Sequence, residues 1–77
     1  EVSTPDESGY ALVRGEVNPE AYVFVFNENL ELGVITRADE EGAFEVLIRA
    51  EPNALLTIWQ ESQGVTGEQK QTVVPED

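Results

Sequence analysis

The chain has no cysteine, no histidine and no methionine, and only four basic residues among 77: Arg14, Arg37, Arg49 and Lys70. Each absence removes a class of function. Without histidine there is no side chain whose ordinary pKa suits general acid–base work near neutral pH, and without cysteine there is no thiol nucleophile and no disulfide. Lacking both, the chain cannot build the usual structural zinc site. The hydroxyls Ser3, Thr4, Ser8, Thr36, Thr57, Ser62, Thr66 and Thr72 are scattered, and none sits in a G-x-S-x-G elbow. A carboxylate pair can hydrolyse glycosides only across a substrate cleft. A domain of this length buries about 60% of the surface its unfolded chain exposes, too little for a deep cleft with a supporting shell. No enzyme activity and no cofactor are expected.

Sixteen Asp and Glu against four Lys and Arg give a net charge of −12. Nucleic-acid binding requires basic surface that displaces counterions, so DNA and RNA are excluded as partners, and anionic lipid heads with them. No apolar run is long enough to span a bilayer and there is no secretory h-region, so no membrane insertion is expected. The acidity suits solubility and a saline or extracellular setting. With Glu1 in first position, the sequence reads as a segment of a longer protein.

What is present is a series of short alternating segments with turn residues at nearly every break, the signature of strands. They are "YALVRGEV", "AYVFVFN", "LGVITRA", "AFEVLIRA", "LLTIWQES" and "QKQTVV". Pro19 and Pro52 break the chain between segments because proline cannot donate to a ladder. Gly42 in "DEEG" provides a residue with φ above zero for a tight hairpin joining the third and fourth strands. The ends, "EVSTPDESG" and "VVPED", are rich in Pro, Ser and acids and read as linker. The expected organisation is an arm at 1–9, one domain at 10–75 and a linker end at 76–77. Six or seven strands with no trustworthy helical period indicate an all-β antiparallel sandwich or small barrel.

In "AYVFVFN" both faces are apolar: Tyr22, Phe24 and Phe26 on one, Ala21, Val23 and Val25 on the other. Periodicity alone does not say which is buried.

The order "V-R-G-E-V", "A-Y-V-F-V-F-N", "T-R-A-D-E-E-G-A-F-E-V" and "L-T-I-W-Q-E-S-Q-G" resembles the bacterial Ig-like modules found in tandem in surface and secreted proteins, over roughly residues 13–75. The hairpin is also similar to carboxypeptidase-regulatory or transthyretin-like modules. The first resemblance implies an antiparallel Ig-like β-sandwich with Ala21, Val23, Val25, Leu56 and Ile58 pointing inward. It also implies that the second and fifth strands are neighbours, which leaves Tyr22, Phe24, Phe26, Leu55 and Trp59 as one exposed apolar face. The second family includes members with an internal isopeptide bond from a Lys to an Asn or Asp. Here the only lysine is Lys70, and "YALVRGEV" offers it no such partner.

Large apolar patches mark interaction surfaces, and Trp and Tyr are frequent anchors. The readings that compete for this face are a core or covered surface, a protein contact, or a platform for sugar rings. Asn27, Glu28, Asn29, Asp39, Glu40 and Glu41 are oxygen donors of the kind calcium takes, but they lack the D-x-D-x-D-G spacing, and solvated hairpin tips explain them. Arg37 and Arg49, on strands expected to neighbour across the hairpin, are expected to pair with Glu45 and other acids on the solvent face. The function implied is a non-catalytic structural or spacer module of a bacterial cell-surface or secreted protein, extracellular or periplasmic, whose partners are its neighbouring domains. The alternative is a protein- or carbohydrate-binding module using the aromatic face.

Overall fold

The computed structural model describes residues 1–76; Asp77, within the expected linker end at 76–77, lies outside the described residues. Seven strands follow in chain order: β1 (Tyr10–Glu16), β2 (Tyr22–Asn27), β3 (Leu32–Arg37), β4 (Ala43–Arg49), β5 (Leu55–Ser62), β6 (Val65–Thr66) and β7 (Lys70–Val73). All pair antiparallel, in two sheets. β1 pairs with β4 in one; the other runs β3-β2-β5, with β6 and β7 both on the far side of β5.

Strand alternation decides what faces inward. Ala11 and Val13 of β1, Ile48 of β4, Val23 and Val25 of β2 and Leu56 of β5 are buried in one cluster to which both sheets contribute, with Ala50, Ala54 and Val74. Ile58, Val34, Phe44 and Val46 are half-buried against it. Burying each of the larger members contributes about 1.5–3 kcal/mol. Two cross-strand pairs join an aromatic ring to a glycine. Phe44 lies against Gly15, and Phe26 against Gly33, each ring 3.2 Å from where a Cβ would stand.

The β3–β4 connection is not a hairpin, contrary to the expectation from "DEEG". β3 is hydrogen-bonded to β2 and β4 to β1, so the chain crosses between sheets at residues 38–42. Gly42 does have φ of 87°, but that backbone turn serves a crossing as well as a hairpin. Asp39 holds it, its Oδ1 accepting from the amides of Glu41 and Ala43 at 2.8 and 2.9 Å. The same turn recurs before β1: Asp6 Oδ1 accepts from Ser8 and Tyr10 at 2.8 and 3.0 Å, and Gly9 has φ of 86°. "DESGY" and "DEEGA" are thus one turn used twice.

Both ends expected as linker are attached. Val2 bridges Val13 and packs against the core. The Ser3 amide donates to the Leu12 carbonyl and the Arg14 amide to the Glu1 carbonyl, both at 2.9 Å. At the other end Val74 is fully buried and exchanges backbone hydrogen bonds with Asn53 and Ala54. Composition understated both segments because backbone pairing does not depend on side-chain polarity, and one valine in each is enough to reach the core.

Candidate functional site

The five-stranded sheet has an outer face that no other strand covers among the described residues. Its rows follow from the register. Arg37, Tyr22 and Glu61 form one row, Ile35, Phe24 and Trp59 the next, and Gly33, Phe26 and Thr57 the third. Leu55 and Val73 lie beyond them as a fourth pair. Ala21, Val23 and Val25 are on the buried side, so the sheet presents its aromatic residues outward.

The expected face is unevenly exposed. Tyr22 is 50% exposed, whereas Phe24, Phe26, Leu55 and Trp59 are half-buried by their own neighbours. Phe24 and Trp59 sit directly opposite each other and stack, with ring centroids 5.3 Å apart and planes within 4°. Rings stacked in this way each cover part of one face of the other. Phe26 is occupied with Gly33. Thr57 points to this side but is buried, its hydroxyl donating to Glu28 Oε2 at 2.6 Å.

The Ig-like resemblance implied β2 beside β5, as the structure has it, and missed the contribution of β3. Ile35, opposite Phe24, is 64% exposed and the most open apolar side chain on this face. Arg37 lies over the Tyr22 ring at 5.4 Å and 3.8 Å from Glu20. The signal was available in "LGVITR", where Gly33, Ile35 and Arg37 share one parity, but the partner strand had to be known to use it.

Arg37 pairs with an exposed acid as expected, Glu20 rather than Glu45, but Arg49 does not. Arg49 lies over Tyr10 at 5.9 Å, and Glu45 lies 3.8 Å from Arg14, which also approaches Glu1. These exposed pairs contribute about 0–1 kcal/mol each. Arg37 and Arg49 belong to different sheets, so they form no anion-binding pair.

Asn27, Glu28, Asn29 and Asp39, four of the six calcium-type donors, are hydrogen-bonded within the protein. Asn27 is not at a solvated tip; it is fully buried. Its Oδ1 accepts from the amides of Asn29 and Leu30, while its Nδ2 donates to the Arg49 carbonyl at 2.9 Å, tying one sheet to the other. Asn29 Oδ1 accepts from the Leu55 amide. Among the described residues no three acidic side chains gather into a metal-binding group. Lys70 is exposed on β7 opposite Ile58.

No family model matches the chain, and comparison with known proteins and with solved structures finds no significant match.

Proposed function

We propose that this domain is a non-catalytic β-sandwich spacer, one unit of a larger cell-surface or secreted protein. The observation that carries the reading is where the chain enters and leaves. The molecule measures 36 × 20 × 15 Å. Glu1 lies beside Arg14, and the arm runs antiparallel to β1 toward Tyr10. Residues 74–76 leave beside Asn53 and Ala54, at the end where Asn27 meets Arg49, the partner of Tyr10. The chain therefore enters away from the end by which it exits. Tandem units joined this way extend rather than fold back.

Strand order departs from the Ig-like resemblance. In the constant-type Ig order the first strand lies beside the second, the fourth beside the fifth, and the third in the opposite sheet. Here β2 is bonded to β3, and β1 to β4.

The test is small-angle scattering of two copies joined in tandem. A spacer gives a maximum dimension longer than that of one copy by about one module, 36 Å. A pair that folds back side by side, with little gain in length, overturns the reading.

A further inference from the structure

The four sheet edges are not equally protected. Unpaired strand edges are templates for another chain, and proteins blunt them with covering segments, bulges, charges or proline. The β1 edge is covered by residues 1–3. The β6/β7 edge contains a bulge: Thr66 opposes Glu61 and Lys70 opposes Ile58, so three residues, 67–69, face two. It also carries Lys70. On β4 the Ala43 groups are taken by Asp39 and the Arg49 carbonyl by Asn27, and Glu45 and Arg49 flank what remains.

Among the described residues β3 has no covering segment, bulge or proline, and its one charged residue, Arg37, stands at its end. The Ala38 amide donates to the Ala21 carbonyl at 2.8 Å. That makes 21–38 a hydrogen-bonded pair and, by the alternation of an antiparallel ladder, 23–36, 25–34 and 27–32 as well. The backbone groups of Gly33, Ile35 and Arg37 therefore point away from β2, and among the described residues they have no partner. The side chains of the same three residues lie on the aromatic face. There, Phe24, Phe26, Gly33, Ile35 and Trp59, from β2, β3 and β5, line a shallow apolar groove. Exposed carboxylates stand at both ends: Glu28 and Glu31 before β3, Glu20, Glu40 and Glu41 after it. The one cation of the strand, Arg37, is engaged by Glu20 and Tyr22.

We infer that the β3 edge accepts an extended segment of another protein as an added strand, apolar at its centre and carrying Lys or Arg toward both ends. Main-chain bonds to Gly33, Ile35 and Arg37 would hold it, and alternate side chains would enter the groove. The flanking carboxylates select a basic segment. A second copy of this chain brings the same −12 charge and is disfavoured by it. The inference goes beyond the spacer reading and neither requires nor excludes it.

The experiment uses the isotope-labelled protein at low salt and a nine-residue peptide of alternating valine and threonine with two lysines at each end. A counterpart carries glutamates in place of the lysines. Amide hydrogen exchange is followed at Gly33, Ile35 and Arg37. The basic peptide at saturation is expected to slow exchange of the Ile35 amide at least ten-fold, and the acidic one to leave it unchanged. Ile35→Pro removes an amide that faces the open edge, so it leaves the β2–β3 ladder intact while weakening peptide binding at least ten-fold. If that variant does not fold, Ile35→Lys keeps the amide, places a cation at the edge and is expected to weaken the basic peptide to a similar degree. The inference is overturned if exchange is unaffected, if the acidic peptide protects equally, or if protection falls on Leu47 of β4 instead. It is also overturned if sedimentation without peptide shows self-association that itself protects Ile35, since the occupant is then a second copy.

Discussion

Gly9 and Gly42 close two copies of one turn with φ of 86° and 87°, yet their surroundings differ. A Cβ at Gly9 meets nothing within 4 Å, whereas one at Gly42 would overlap the Val17 carbonyl oxygen, which sits against the bond from the Val17 amide to the Gly42 carbonyl. Gly9→Ala is therefore expected to cost about 1–2 kcal/mol, the left-handed penalty alone. Gly42→Ala is expected to cost about 4 kcal/mol or more, or to prevent folding, as backbone strain and overlap combine. Urea unfolding of the two variants checks this; equal losses would mean the crossing is not where Gly42 is placed. Asn27→Ala leaves the Arg49 carbonyl and two amides without their side-chain partner, and its expected cost is about 1–3 kcal/mol by the same measurement. The turn motif "D-E-x-G" is visible in the sequence, but the oxygen facing Gly42 is not, because it comes from a loop 25 positions earlier in the chain. Asn27 illustrates the opposite error, a polar residue in an acidic turn that reads as solvated and is buried.

At the scale of elements, the arm behaves as an additional edge strand. Its bonds to Leu12 and Arg14, including Ser3 Oγ accepting from the Leu12 amide at 2.9 Å, contribute about 0.5–1.5 kcal/mol each when intact. Removing residues 1–3 is expected to cost about 2 kcal/mol and to speed hydrogen exchange at Leu12 and Arg14 well beyond that at Val13, whose backbone faces β4. If all three accelerated equally, the loss would be global and the arm would not be a local strand. Strand positions were legible because alternation and Pro/Gly breaks are local. Strand partners were not, apart from β2 beside β5, which the Ig-like resemblance implied. Whether β4 joins β3 or β1 depends on which pairing lets Val46 and Ile48 meet Val13 and Ala11, a competition between distant segments.

For the whole molecule the dominant electrostatic fact is self-repulsion at −12, against three exposed ion pairs at 3.8 Å among the described residues. Raising salt from about 0.01 M to about 1 M shortens the Debye length from about 30 Å to about 3 Å. Screening repulsion on this scale is expected to stabilise the fold by on the order of 1 kcal/mol, a rise in melting temperature of about 4–8 °C. A thermal scan in sodium chloride checks it; a fall would mean that the ion pairs outweigh the repulsion.

The sequence by itself determined the all-β character, the strand segments and the lack of histidine, cysteine and basic surface, because composition and period-two alternation are properties of residues and near neighbours. Only the tertiary structure decided which face of "AYVFVFN" is outward, that the chain crosses sheets at Gly42, that the arm is paired, and that Ile35 stands beside an open backbone edge. Each of these depends on what lies across a hydrogen-bonded ladder or a core, and those neighbours are chosen by long-range packing rather than by the local pattern.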